Sequence, residues 1–342
     1  MNSNIQEQPL EVARCWAREL GSSESSLVRL QGGINNHVFS CGDGCQKWVI
    51  KSYRPLQNEQ RDQMRAEVDF LRYASLAAPG FTPKLFHEDY KQRCVVLEHL
   101  EGEPFPQGVA PSEEAVDAAV EFFRRLNAEP ESAKVNIGLD ATESFLSLSA
   151  HLKNIHQRLV GMGYDHLPKE VMPKAKRLLV KLRSDLERIR EITFRRIACG
   201  ELADEISPKA RCVSPSDFGF HNAICTTTGV RFYDFEYAGW DDPAKTAVDF
   251  VLQPRIPIKT KSSPLLRSLR LDQCVNINKR YQAIGPIMEL KWHCIILSVL
   301  NPSRLSSILE TNKALHAGNL ISQRLHSATT RLIKNRRLFE IN

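Results

Sequence analysis

Between residues 9 and 20, "PLEVARCWAREL", apolar side chains recur at Leu10, Ala13, Ala17 and Leu20, and the run stops at Gly21. That is the spacing of a short amphipathic helix closed by a glycine. The texture then changes to short runs rich in β-branched and aromatic residues, "SLVRLQGG", "NHVFSC" and "QKWVIKSY", separated by glycine turns. These predict an antiparallel sheet. Helical spacing returns in "NEQRDQMRAEVDFLRYASL" through Met64, Val68, Leu71 and Leu76, and two more strands follow, "KLFHEDY" and "RCVVLEHL".

The next stretch, "EGEPFPQGV", carries two glycines and two prolines and marks a hinge. Beyond it helices dominate, over 112–127, about 142–162, about 169–198 and several from 243 onward. The exception is 212–236, where "AICTTT", "GV" and "RFYDFEY" predict a hairpin with loops on both sides. The expected architecture is α+β with two lobes: a small sheet lobe over 1–100 and a larger, mainly helical lobe over 101–342.

Composition narrows the class. With 342 residues and 42% hydrophobic side chains the chain is long and apolar enough to bury a core. The charge of +6, from 46 Lys and Arg against 40 Asp and Glu, favours anionic ligands without requiring nucleic acid. The first twenty residues carry acids where a signal peptide has an apolar run, and apolar stretches such as "CIILSVL" fall short of the roughly 20 residues a spanning helix needs. A cytoplasmic protein without a membrane partner is expected. The nine cysteines include no C-x-x-C pair, which fits reduced thiols; Cys41 and Cys45 flank "GDG" with a hairpin turn as the simpler explanation than a metal.

A nucleotide bound between two such lobes requires a phosphate cradle, a lysine, magnesium ligands and a base. The letters D-F-G in "VSPSDFGFHNAI" raise the question of a protein-kinase metal motif. A catalytic Asp with an Asn five positions later should then lie roughly twenty residues upstream. The aspartate found there, Asp204, is followed five positions on by Lys209, so that assignment fails. Taking Asp217 as the catalytic aspartate succeeds: Asn222 lies five positions on, a hairpin follows, and Asp234 appears in "FYDFEY" after an apolar strand. A base, an amide ligand and a carboxylate ligand for magnesium come in the required order.

At these residues the chain resembles the aminoglycoside phosphotransferase and choline kinase family, small-molecule kinases of protein-kinase-like fold. Their loop H-G-D-x-x-x-x-N is matched in its second half by Asp217 to Asn222, and their metal segment I-D-F/W-E by "YDFE" at 233–236. The resemblance extends over most of the chain, through "GGINNHVF", "WVIK", the hinge and "DDPAKTAVDF". Pro215 and Ser216 stand where the family has His-Gly, a histidine that buttresses the loop.

The resemblance implies a role for each piece. Asp217 orients the acceptor hydroxyl and takes its proton; Asn222 and Asp234 hold Mg2+ between the β- and γ-phosphates of ATP. Glu236 is a candidate for a second metal or for substrate. Lys51, ending the apolar run "WVI", contacts the α- and β-phosphates while pairing with Glu67, although Glu59 lies on the same helix. Gly32, Gly33 and Asn35 cover the nucleotide, and the hinge presents the Glu98 carbonyl and Leu100 amide to an adenine-like ring. Asp249 is expected to tie the segment after the metal loop, and Asp241 or Asp242 to cap the helix near Pro243. His221, inside the loop, is open between phosphate contact and packing.

The expected activity is transfer of the γ-phosphate of ATP to a hydroxyl of a small molecule, a sugar or other metabolite alcohol. A cationic aminoglycoside calls for an acidic pocket, whereas the tail "RLHSATTRLIKNRRLFEIN" is basic. Choline wants an aromatic cage that the sequence does not locate. A pseudokinase-type scaffold without turnover is the alternative, supported by the missing His-Gly and opposed by Asp217, Asn222 and Asp234. The basic tail also fits an ordinary solvated helix face rather than nucleic acid.

Overall fold

The computed structural model describes the chain except residues 1–2, 31–35, 44–45, 56–60, 259–263, 270, 272–274, 312–315 and 340–342. Gly32, Gly33, Asn35, Cys45 and Glu59 therefore lie outside the described residues. Packing groups the chain into two compact units. One comprises Met1–Ser144, Cys212–Asp241 and Pro254–Leu269; the other comprises Phe145–Arg211, Asp242–Gln253 and Arg270–Asn342. Packing groups the hairpin region, Cys212–Asp241, with the sheet.

The first unit is built on α1 (Ser3–Glu19) and five antiparallel strands, β1 (Val28–Arg29), β2 (His37–Asp43), β3 (Gln46–Ser52), β4 (Leu85–Asp89) and β5 (Cys94–Glu98). Their spatial order is β1-β2-β3-β5-β4. Alternation sorts the side chains between faces. Phe39, Ile50 and Val96 are cross-strand partners and pack with Ala13 and Ala17 of α1. The neighbouring row, Val38, Lys51 and Val95, therefore faces away from α1, and Lys51 lies at its centre.

Helix α2 (Gln63–Ala77) begins at Asp62, whose side chain accepts from the Arg65 amide at 3.2 Å. Its buried face carries Met64, Glu67, Val68 and Leu71, so a carboxylate occupies a core position. Leu76, expected on that face, is 77% exposed; Tyr73 is buried instead, its hydroxyl donating to the Leu126 carbonyl at 2.7 Å. The predicted hinge is not wholly irregular. It contains β6 (Glu103–Pro104), which pairs with β8 (Ala223–Thr226), itself hairpinned to β9 (Gly229–Phe232). Gly102 permits this: its φ is +153°, and a Cβ there would lie 2.2 Å from the Cys225 carbonyl oxygen.

Helices α3 (Glu113–Leu126), capped by Ser112, and α4 (Pro130–Asn136) complete the early part of this unit. Strand β7 (Cys212–Ser214) pairs with β10 (Gly239–Asp241), a two-stranded sheet absent from the sequence expectation. It clamps the two ends of the segment that carries Asp217 and Asp234. Phenylalanines fill the space beneath: Phe122 of α3 stacks on Phe81 and Phe232 and meets Phe218 and Phe235.

The second unit is helical, with α5 (Leu148–Val160), α6 (Met172–Ala198), α7 (Pro243–Leu252), α9 (Val275–Ile296), α10 (Pro302–Thr311) and α11 (Ala317–Lys334); α8 (Pro264–Ser268) belongs to the first. Helix α5 starts six residues later than its apolar spacing suggests, because Glu143 and Phe145 take positive φ and Ser147 supplies the cap to the Ala150 amide. The core joins Leu152 and Ile155 of α5, Leu179 and Leu182 of α6, and Ile284 and Ile287 of α9. Residues Val275–Leu300 are long and apolar enough to cross a membrane by length and composition, but 83% of their most apolar window is buried in the protein. Burial inside a helical core accounts for that apolarity. Asp242 caps α7 through the Ala244 amide at 2.8 Å and pairs with Arg280 at 2.5 Å. Asp249 accepts from the Trp292 indole at 3.2 Å and pairs with Lys245 and Lys291 at 3.5 Å each.

Candidate active site

A cavity of about 430 Å³ opens within the first unit. That is the size range of small-ligand sites. Its walls include Lys51, Glu67, Glu98, Leu100, Asp217, Asn222, Asp234 and Glu236, so the described residues singled out in the sequence meet around one space.

Lys51 is the electrostatic centre. Its Nζ lies 2.6 Å from Glu67 Oε2, 2.5 Å from Asp234 Oδ1 and 3.7 Å from Glu236 Oε2. Burial alone would lower the ammonium's pKa, but the three carboxylates outweigh it and hold Lys51 protonated, well above the usual lysine range. Glu67 is raised, by burial first, against the pull of Lys51. Its other contacts are the Tyr53 hydroxyl at 2.6 Å and the Phe235 amide at 3.3 Å. Tyr53 was not singled out from the sequence, yet it follows Lys51 by two positions, the spacing at which side chains of an extended chain share a face.

The loop carrying Asp217 is fixed by what flanks it. Phe218 and Phe220 are buried, which turns the letters D-F-G-F into two apolar anchors either side of Gly219. The Asn127 side chain accepts from the Val213 amide at 2.7 Å and donates to the Val213 carbonyl at 3.0 Å, tying the end of α3 to β7. Ser216 takes a φ of +66°; its amide donates to Ser214 Oγ at 3.0 Å and its hydroxyl to the Thr142 carbonyl at 3.4 Å. Main-chain contacts thus hold the position where Pro215 and Ser216 replace His-Gly.

Asp217 Oδ1 is 3.1 Å from His221 Nε2, and Asn222 Nδ2 donates to the Asp217 carbonyl at 3.0 Å and to Oδ2 at 3.3 Å. Desolvation raises this carboxyl, but the His221 contact, the Asn222 hydrogen bond and the Arg255 charge together hold it below the usual carboxylate range. With its nitrogen engaged on Asp217, the remaining side-chain acceptor of Asn222 is its amide oxygen.

Asp234 has φ +69°, an uncommon conformation that aspartate tolerates better than most residues. Carboxylate oxygens of Glu67, Asp234 and Glu236 lie within 4.8 Å of one another. The Lys51 ammonium sits among these three carboxylates and counters their charge. Glu236 is buried, and its carboxylate accepts from the Asn36 side chain. Asn36, Tyr237 and Arg255 also line the cavity without having been singled out; Asn36 is the second asparagine of "GGINNHVF", and Arg255 follows the helices in "QPRIP" with no motif to mark it. Burial and the Glu236 carboxylate raise the Tyr237 hydroxyl, so it stays a hydrogen-bond donor at neutral pH.

The Glu98 side chain is bound by Arg231 at 2.7 Å through two nitrogens and by the Lys84 amide at 3.0 Å. Glu98 and Leu100 line the same cavity, together with the apolar Leu30, Val38, Val49, Leu97 and Ile224.

A lysine held by a helix carboxylate over an antiparallel sheet, facing a loop aspartate and a second aspartate after a hairpin, is the arrangement of the protein-kinase-like class. Comparison of the sequence with family models places it more narrowly: the chain belongs to the phosphotransferase enzyme family, whose model matches residues 26–251. No curated protein sequence matches it. Among solved structures, a choline kinase from Cryptosporidium parvum Iowa II superposes with a TM-score of 0.55 at 14% identity, covering 96% of this chain and 99% of that one. A macrolide 2′-phosphotransferase from Brachybacterium faecium gives 0.52 at 14%, covering 90% and 99%. A spectinomycin phosphotransferase in complex with ADP and spectinomycin gives 0.52 at 9%, covering 89% and 92%. At these identities the likeness is one of fold.

Proposed function

We propose that this phosphotransferase moves the γ-phosphoryl group of ATP to a hydroxyl of a small molecule, with Asp217 as the base. The observation that carries the reading is the convergence of Lys51, Asp217, Asn222 and Asp234 on one cavity, with Lys51 anchored on Glu67. ADP in the spectinomycin phosphotransferase supports the nucleotide.

In this reading the apolar wall takes the purine, with the Glu98 carbonyl and Leu100 amide at its edge. Lys51 moves its charge from Asp234 to the α- and β-phosphates while keeping Glu67. Asn222 and Asp234 hold Mg2+, and Glu236 stands beside them for a second ion or for substrate. A bound divalent cation supplies neutralisation of the phosphate charge. Asp217 accepts a hydrogen bond from the acceptor hydroxyl, aligns its oxygen with the γ-phosphorus and takes its proton as the bond to phosphorus forms. A carboxylate of lowered pKa suffices, because a loose transition state needs positioning more than a strong base.

The acceptor is read as a sugar or other metabolite alcohol. The test is calorimetric titration of ATP with and without Mg2+ on the wild type and on Asp234→Ala. The reading expects tighter binding with Mg2+ in the wild type and no such gain in the variant, followed by phosphorus NMR with metabolite alcohols. Absence of ATP and GTP binding by the wild type would sink it.

A further inference from the structure

His221 is placed by the short turn Phe220–Asn222, whose Asn222 amide donates to the Gly219 carbonyl at 3.1 Å. That turn brings the imidazole back over Asp217, four residues earlier in the chain. The Asp217 carboxylate can only accept, so the ring nitrogen facing it, Nε2 at 3.1 Å, carries the proton. The other ring nitrogen, Nδ1, is buried without a partner among the described residues.

Those two nitrogens distinguish packing from function. The loop is already anchored by Phe218 and Phe220, which are buried on either side of Gly219. A ring retained for shape alone would be better apolar, because a buried unpaired nitrogen carries the full desolvation penalty of that group. The imidazole side chain, 8% exposed, makes a polar contact with Oδ1 of Asp217. At Pro215 and Ser216, on the other side of Asp217, the loop is held through Ser214 Oγ and the Thr142 carbonyl.

We propose that His221 is the positioning residue of the base: its Nε2–H fixes the rotation of the Asp217 carboxylate, so that the remaining lone pairs are presented to the acceptor hydroxyl. The role rests on the phosphotransfer reading of Asp217. Asn222, on Oδ2 and the carbonyl, sets the second point of the same carboxylate. An oriented carboxylate needs no reorganisation at the moment of transfer, so the effect falls on kcat and spares nucleotide affinity.

The test uses the full chain with ATP hydrolysis, water serving as acceptor, and an imidazole nitrogen spectrum of the 15N-histidine protein. His221→Ala is expected to lower kcat by roughly 10–100-fold with KM for ATP unchanged. His221→Gln, which offers an amide N–H toward Oδ1, is expected to regain most of the loss. The His221 resonances, assigned by their disappearance in His221→Gln, should show a protonated Nε2 and should move in Asp217→Ala but not in Asp234→Ala. Equal kcat in His221→Ala and wild type, or an imidazole indifferent to Asp217→Ala, would overturn the proposal. Should His221→Ala fail to fold, His221→Gln and the spectrum decide it. A wild type that does not bind Mg·ATP overturns the phosphotransfer reading instead, while the spectrum still decides the His221 contact.

Discussion

Lys51 Nζ lies 2.5 Å from the Asp234 carboxylate across 183 positions of sequence, and its second short contact, 2.6 Å to Glu67, fixes the ammonium between a helix and the segment after a hairpin. Removing the cation leaves buried Glu67 beside Asp234 and Glu236 with like charge. Lys51→Met is therefore expected to destabilise the fold by about 3–5 kcal/mol, the usual cost of stripping one partner from a buried pair. Urea unfolding of Lys51→Met, Glu67→Gln and the double variant checks this. The double variant should lose less than the sum of the singles; strict additivity would show that the pair does not interact.

Asp217→Asn keeps the size of the side chain and removes the proton acceptor. Turnover should fall by roughly 10²–10⁴-fold, with Mg·ATP affinity preserved. Single-turnover assays beside calorimetry separate the two, and a variant retaining wild-type turnover would remove Asp217 from the chemistry.

His151 is buried on α5, and burial first, then the charges of Lys245, Lys291 and Arg280, push its pKa well below the ordinary 6.5. The folded protein keeps this ring neutral while the unfolded chain protonates near pH 6.5, so the unfolded state binds more protons below that value. The stability contribution is full above pH 6.5 and is lost as pH falls from there toward the depressed folded pKa. Unfolding free energies at pH 7.5 and 5.5 should drop less for His151→Gln than for wild type. Identical pH slopes would show that another group governs this window.

Gly102→Ala places a methyl group against the Cys225 carbonyl at a φ that L-residues avoid. The expected cost is about 2 kcal/mol or more, from strain and displaced β6–β8 pairing. Thermal unfolding measures it, and a neutral substitution would mean that the hinge strand shifts freely.

Much of the site was legible because its chemistry is spaced locally. Asp217 and Asn222 belong to one loop, Asp234 and Glu236 share one short segment, and Lys51 ends an apolar strand, so residue type and interval, with the family resemblance, picked out residues that line one cavity. Glu67 was reached through the family resemblance, with Glu59 on the same predicted helix left open, and the structure sets it on the face of α2 that also carries Met64, Val68 and Leu71. The partners of these residues were less visible. Nothing local marks Arg255 as a cavity residue, or Asn127 as the clamp on Val213.

Hydrophobic periodicity by itself determined the order of elements: the N-terminal helix, the five-stranded sheet, α2, the hinge and the helices beyond. Residue type and interval, read beside the family resemblance, set Asp217, Asn222 and Asp234 in that order along the chain. Tertiary structure alone decided the pairing of β7 with β10, because three-residue strands far apart in sequence carry too little pattern to reveal their partner. It decided that Lys51 meets Asp234 as well as Glu67, since that contact depends on how a sheet face and a hairpin end pack together. And it decided which way His221 turns: one ring nitrogen on Asp217 rather than into the phenylalanine core is a matter of angstroms, set by a turn whose direction no side-chain pattern encodes.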